Sequence, residues 1–310
     1  MTRPDDSSLT EAQYKRVRKE AQKALEIANA LGCFPTPVSQ IMAVAKVSLA
    51  EDDILDEGFL TKIRKSVFNA GSTLKRALSK VLGLFDAREN LIFIDRSVKA
   101  VKQTFLKLHE IGHSLLPWQK PMYAVVEDCE KTLDPDTADQ FDREANVFAT
   151  EVLFQLDGFI SEANDHDFGI RVPLDLSKKY GSSVYAAVRE YVRKNHRACA
   201  VFVLEKPEII AGDGFRAKLR RVELSKSFMD SFGLPSVPEF FTPSDEIGAI
   251  VPIGGRKMSR PRQISIIDKN GELQDCIGEA FSTGYNVFIL VHSAQTLKKK
   301  NFIFPGAVGF

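Results

Sequence analysis

At 310 residues the chain is long enough for two domains and a substantial core, and its hydrophobic (44%) and charged (27%) fractions are those of an ordinary globular protein. A formal net charge of +1 excludes a global attraction to nucleic acid or to acidic partners, so any such preference must come from a local patch. No apolar run approaches the roughly eighteen residues that span a bilayer. The opening Met1-Thr2-Arg3-Pro4-Asp5-Asp6 lacks the apolar core of a secretory signal, and Cys33, Cys129, Cys199 and Cys276 form neither a CxxC pair nor an evenly spaced framework. A cytoplasmic protein with reduced thiols and no membrane partner is expected.

In chain order, the apolar Ala21, Leu25, Ile27, Ala28 and Leu31 recur among Lys, Arg and Glu, which predicts an amphipathic helix over Glu11 to Leu31, ended by Gly32. Thr36-Pro37-Val38 to Val47 predicts a second helix, with Thr36 as N-cap and Pro37 in its first turn. The short apolar runs Val81 to Asp86 and Leu91 to Asp95 flank a polar turn and predict a β-hairpin. Helical periodicity returns from Val98 to Leu116 and stops at Pro117. A polar connection then leads to a helix over Thr137 to Leu156, and residues 174 to 195 predict two shorter helices around Tyr180-Gly181-Ser182. Beyond His196 the texture is that of strands, at Cys199 to Leu204, Gln263 to Ile267 and Asn286 to Val291, separated by Gly- and Pro-rich turns. The domain boundary is placed near 197.

The chemistry is carried by His109-Glu110-Ile111-Gly112-His113, an HExxH motif. On a helix, positions i and i+4 lie on one face, so both imidazoles can reach a single ion. Glu110, rotated by about 100° from His109, can then reach a water at the ion without being a ligand. Zinc would polarise a scissile carbonyl and lower the pKa of that water, and Glu110 would take its proton and pass it to the leaving amine. In a chain with five histidines an accidental HExxH has a probability on the order of one in a hundred. A catalytic zinc also needs a third protein ligand. Glu144 is the best placed, beside an apolar stripe of Phe141, Ala145, Phe148 and Val152 that must pack on the core. By residue type alone it is more often a solvated charge at the edge of such a stripe.

His109-Glu110-Ile111-Gly112-His113-Ser114-Leu115-Leu116, followed some thirty residues later by Glu144-Ala145-Asn146-Val147-Phe148-Ala149-Thr150-Glu151, resembles the ImmA/IrrE family of metallopeptidases. The lead-in Thr104-Phe105-Leu106-Lys107-Leu108 and the hairpin before it fit the same resemblance, which covers roughly residues 20 to 196. It implies that Glu144 is the third zinc ligand beside His109 and His113, with Glu110 as general base. The pattern is not thermolysin-like. There an Asp follows the ligand Glu by four residues and supports a zinc histidine, whereas four residues after Glu144 stands Phe148. Glu127, Asp128 and Glu151 are the candidates for supporting the ligands. Cys129, in the connection between His113 and Glu144, is either an ordinary loop cysteine or a thiolate that occupies the open zinc position and holds the enzyme inactive.

Leu176 to Arg189 resembles a helix-turn-helix, a motif that serves equally for packing and for DNA contact. The last segment carries basic clusters (Arg216, Lys218, Arg220, Arg221; Arg256, Lys257, Arg260, Arg262; Lys298, Lys299, Lys300) and aromatics including Phe215, Phe228 and Tyr285. They read either as a solvated surface or as a groove for single-stranded nucleic acid. IrrE-like relatives carry a GAF-like C-terminal sensor, and CapP-like relatives of bacterial defence operons also fuse the peptidase to a sensor. The expectation is an α+β protein. A mainly helical zincin-like metallopeptidase domain over 11–196, with a short β-sheet and helix-turn-helix-like helices at about 174–195, precedes a mixed α/β GAF-like sensor domain over 197–310. The resemblance implies site-specific cleavage of a partner helix-turn-helix repressor that relieves repression on DNA damage or invasion, with single-stranded DNA as the expected signal. The rival is a DNA- or ligand-binding transcriptional regulator with a structural or vestigial zinc site. Glu110 speaks against it, since a structural site has no use for a base beside the metal.

Overall fold

The computed structural model describes residues 8–51, 83–87, 89–122, 134–212 and 214–294. By its contacts the chain divides into two units. The first reaches to Ser161 and includes Ser177–Ser183; the second comprises Glu162–Leu176 and the chain from Val184 onward.

The first unit opens with α1, Glu11–Ile27, started by a capping box in which Gln13 N donates to Thr10 Oγ1 (3.3 Å) and Thr10 N donates to Gln13 Oε1 (2.9 Å). Its buried face is Val17, Ala21, Ala24 and Leu25. It ends four residues before Leu31, because Asn29 turns the chain into the left-handed region (φ 49). The second helix, α2, is shorter than predicted, Val38–Ala45. Its N-cap is Pro37, and Thr36 is not the cap: its hydroxyl donates instead to the Val152 carbonyl at 3.2 Å, a tertiary bond that local sequence cannot signal.

The predicted hairpin is present as β2, Gly83–Asp86, antiparallel to β3, Leu91–Ile94. Asp86 Oδ1 accepts from Glu89 N (3.0 Å) across the turn, and Asn90 supplies its positive φ. A two-residue strand not foreseen, β1 (Ser48–Leu49), adds parallel to β3. The small sheet, ordered β1-β3-β2, buries Phe85, Ile92 and Ile94. Two long helices complete the unit's core: α3, Ala100–Leu115, and α4, Pro135–Leu153. Asp134 caps α4 by accepting from Thr137 N (3.2 Å), with Pro135 in the first turn. Phe141, Ala145, Phe148 and Val152 are all buried, as their spacing predicts. A Cβ on Gly112 would lie 3.2 Å from Phe148 Cδ1 and 3.3 Å from the Ala145 Cα, so glycine is what lets α3 and α4 approach so closely. A short helix α5, Gly158–Asn164, follows Gln155 and Leu156, both at positive φ.

The pair predicted at 174–195 forms as α6, Arg171–Lys179, and α7, Val184–Arg193. In the turn between them Gly181 has φ +63, and a Cβ there would stand 2.8 Å from Pro35.

In the second unit one antiparallel sheet runs in the order β5-β6-β4-β10-β9-β8, with β7 (Phe240–Phe241) added on β6. The three predicted strands are β4 (Cys199–Glu205), β8 (Arg262–Ile267) and β10 (Asn286–Ser293). Besides β7, three more were not anticipated: β5 (Glu208–Ile210), β6 (Gly214–Leu224) and β9 (Leu273–Ser282). Residues Cys199–Leu204 are buried without alternation because both faces are covered. Helix α7 packs on one side, and Phe215, Phe228, Phe241 and Ile250 fill the core on the other, with Phe228 carried by helix α8 (Lys226–Phe232). Among the described residues no helix is long and apolar enough to cross a membrane.

The backbone in front of that core is tight at Gly248, in the 3₁₀ turn Gly248–Ile250, where a Cβ would lie 2.0 Å from the Thr242 carbonyl oxygen. Backbone, unlike a side-chain tip, cannot swing away. Gly248→Ala is therefore expected to cost about 1–3 kcal/mol, the range for overpacking a close-packed interior. The check is the urea midpoint of the full chain; an unchanged midpoint would show that the turn relaxes freely.

Candidate metal centre

Helix α3 carries His109, Glu110 and His113 on the side that meets α4. The two imidazoles stand edge to face, and their Nε2 atoms are 3.2 Å apart. Asp142 Oδ1 from α4 lies 3.7 Å from His113 Nε2, and ligand atoms of His109, His113 and Asp142 all fall within 4.8 Å of one another.

The outer nitrogen of each ring faces an amide oxygen. His109 Nδ1 lies 3.0 Å from Asn146 Oδ1, and His113 Nδ1 lies 2.8 Å from Gln119 Oε1. An amide oxygen only accepts, so each Nδ1 carries the hydrogen and each Nε2 turns a lone pair inward. Two lone pairs facing each other repel unless a cation lies between them. Nitrogens about 2.0–2.1 Å from a tetrahedral zinc are about 3.3 Å apart, close to the spacing of the two rings. The donor set of two imidazoles and a carboxylate is of the kind zinc takes, so the residues present fit the metal.

Electrostatics agrees with this use. Removal from water, with the neighbouring His113 ring adding to it, pushes His109 down to about 3. Burial likewise holds His113 down to about 4. Both rings are thus kept neutral, the form that binds metal. Glu110 is 5% exposed, and among the described residues no hydrogen bond reaches its carboxyl. Burial first, and the Asp142 charge second, push it up to about 8, a value that a cation beside it would lower again.

Glu144, the ligand implied by the resemblance, stands elsewhere. It is wholly buried behind His113, and its carboxylate accepts from Trp118 Nε1 (2.6 Å), Gln119 Nε2 (2.7 Å), Arg16 Nη2 (3.2 Å) and Gln140 Nε2 (3.2 Å). Glu151 accepts from the Tyr14 hydroxyl (2.5 Å) and Arg18 (2.9 Å), so it ties α1 to α4. Glu127, Asp128 and Cys129 lie outside the described residues, as do Lys298, Lys299 and Lys300. The residues that the sequence reading passed over are Asp142, Asn146 and Gln119. For the first two a signal existed: Asn146 follows Asp142 by four residues, the spacing of a carboxylate and the group that supports a histidine.

The model of one family, the IrrE N-terminal-like domain (Peptidase_M78), matches residues 66–190. No curated protein matches the sequence. Among solved structures, a Mycobacterium tuberculosis transcriptional regulator is similar, with a TM-score of 0.50 at 11% identity over 94% of this chain and 93% of that chain. At that identity the likeness is one of fold. The matched segment holds α3 with its HExxH motif and α4 with its carboxylate and supporting amide, which are the parts a metallopeptidase of this kind requires. The match to the IrrE N-terminal-like domain thus covers the part of the chain, residues 66–190, that carries the metal centre.

Proposed function

We propose that the chain is a zinc-dependent endopeptidase that cuts a partner helix-turn-helix repressor at one site, relieving repression when DNA damage or invasion is sensed. The observation that carries this reading is the pair of inward-facing Nε2 atoms 3.2 Å apart with Asp142 in reach and the buried Glu110 beside them. His109 and His113 hold the metal, and Asp142 is the α4 carboxylate nearest to them. Zinc, when bound, supplies a Lewis acid that polarises the scissile carbonyl and eases deprotonation of water. Glu110 takes the proton of the attacking water and delivers it to the leaving amine. Asn146 and Gln119 keep the two imidazoles turned to the site.

Residues 11–196 are assigned the peptidase role and 197–310 that of a GAF-like sensor, with single-stranded DNA as its signal. What supports the latter is strand β6. Its alternation buries Phe215 and Ala217 and exposes Arg216, Lys218 and Arg220, which follow one another at about 6.7 Å along the strand. Arg216 and Lys218 lie over the Phe240 ring (4.8 and 5.8 Å), and Arg220 over Tyr185 (5.2 Å). Cations in a row with aromatic rings between them suit a strand of unpaired nucleotides. The pairs Arg216–Glu208 and Lys218–Glu239 are exposed and cost little to break. The same stripe would serve a DNA- or ligand-binding regulator without catalysis, in which the zinc site is structural or vestigial.

The test is incubation of the full chain with the helix-turn-helix protein of its own operon, with and without a single-stranded oligonucleotide and a chelator. One metal-dependent cut, enhanced by DNA, is the expected result. A cut indifferent to DNA removes the signal and keeps the peptidase. A zinc-loaded chain inert toward a confirmed partner under all conditions leaves the binding-protein reading standing.

A further inference from the structure

We propose that Glu144 and Gln119 are positioning residues for His113: the Glu144 carboxylate holds the Gln119 amide in the one orientation that makes His113 present its Nε2 lone pair to the metal. This rests on the metal centre described above, and it assigns Glu144 a place behind the ligands.

Gln119 is fully buried, and both ends of its amide are committed. The nitrogen donates to Glu144 Oε2 (2.7 Å) and to the Phe141 carbonyl (3.3 Å), two groups that here act as acceptors. Only Oε1 is left for His113 Nδ1, at 2.8 Å, and it can only accept a hydrogen from that ring. A flipped amide would turn its oxygen on the Phe141 carbonyl and the Glu144 carboxylate, which can only accept, and its NH₂ on His113 Nδ1, driving the proton of that ring onto Nε2. That proton would then point at His109 Nε2, 3.2 Å away, into the place of the ion. The tautomer of a ligand is thus decided two hydrogen bonds from the metal.

The anchor is itself secured. A carboxylate with no exposed surface is costly unless its lone pairs are filled, and Glu144 has four donors. Three of them, Trp118, Gln119 and Arg16, come from outside α4. Trp118 sits in the turn after Pro117, which Gln119 N closes by donating to the Leu116 carbonyl (2.9 Å). Arg16, from the middle of α1, also lies 3.9 Å over the Trp118 ring. Glu144 therefore joins α1, α4 and that turn behind the histidine, and its filled lone pairs explain why it is not turned toward the Nε2 atoms.

The experiment uses the full chain and three readouts: zinc affinity by chelator competition, zinc stoichiometry, and the ¹⁵N NMR tautomer signature of His113 in the metal-free protein. Glu144→Leu and Gln119→Leu are each expected to weaken zinc binding 10–100-fold at unchanged stoichiometry, the usual cost of losing a partner of a ligand. Because both act through one chain of bonds, the double variant should be no worse than the poorer single one. The metal-free His113 ring should change from Nδ1–H alone to a mixture. Glu144→Gln keeps an acceptor for Gln119 and its size, and should recover most of the affinity. Loss of zinc stoichiometry in Glu144→Gln would make Glu144 a ligand and overturn the proposal, as would additive losses in the double variant or an unaltered tautomer in both leucine variants. If the wild type takes up no zinc, the peptidase reading fails by itself, and the His113 tautomer still decides the positioning role.

Discussion

Glu110→Gln should abolish the proposed cleavage of the partner repressor, by about 10³-fold or more, while leaving zinc stoichiometry and thermal stability near those of the wild type. General acid–base catalysis contributes typically 10²–10⁴-fold, and here one group is asked to take a proton and later to return it. Glutamine has nearly the same shape and cannot do either. Stability should hold because Glu110 is 5% exposed and, among the described residues, forms no hydrogen bond that the substitution would break. Burial also disfavours its charge, so a neutral amide there is no harder to accommodate than a carboxylate. His109→Ala gives the contrasting pattern: activity falls because the zinc is gone. Cleavage by Glu110→Gln within tenfold of wild type would remove Glu110 from the chemistry and leave the motif as a metal holder only.

The two histidines were legible because an i, i+4 pair on a helix leaves a pattern in one short stretch of chain. The stripe Phe141, Ala145, Phe148, Val152 was legible for the same reason, and it placed α4 against the core. What it could not give was the phase of the polar residues at its edge. Asp142 and Glu144 flank the stripe on opposite sides, and only the direction from which α3 arrives decides which of them meets the histidines. Gly112, lodged between Ala145 and Phe148, sets that direction. The sequence did hold a warning. Counted from Glu144, the supporting position is occupied by Phe148, which cannot hold an imidazole; counted from Asp142 it is Asn146, whose Oδ1 lies 3.0 Å from His109. Gln119 left no trace, since a glutamine in a turn belongs to no motif.

In the second unit the strands that could be read, β4, β8 and β10, are rich in Val, Ile and Phe. Strand β6 was hidden by its own function as a surface: Arg216, Lys218 and Arg220 read as a basic cluster, although Phe215 and Ala217 between them alternate as a half-buried strand requires. Strand β9 was hidden by small inward residues, Cys276, Gly278 and Ala280, which carry little hydrophobic signal. Gly278 is placed under Ile250, whose Cδ1 fills the space where its side chain would be. There a neighbour supplies the core that the strand itself does not.

Asp142→Ala should lower zinc affinity by more than the 10–100-fold expected for a supporting residue, and it should do so without a measurable loss of fold stability. The second half of that expectation is what makes the first informative. The Asp142 side chain is 62% exposed, and substitutions at such surface positions usually change stability by no more than about 0.5 kcal/mol. A loss of zinc affinity beyond that range of about 10–100-fold, in a chain with unchanged unfolding, marks a ligand and not a supporting residue. Asp142→Asn, which keeps an oxygen but removes the charge, should fall between alanine and wild type, and Asp142→Glu should restore binding, since the longer side chain still reaches from the same face of α4. Glu144 offers the opposite profile: wholly buried and bonded to four donors, it should cost fold stability when truncated, and zinc only in proportion to its hold on His113. If Asp142→Ala binds zinc as the wild type does while Glu144→Gln binds none, the helix would have to turn Glu144 inward on metal uptake, giving up all four of those bonds. The measured affinity would then be that of zinc less the cost of breaking them, and the Arg16–Trp118 stack on α1 would be released in the same step.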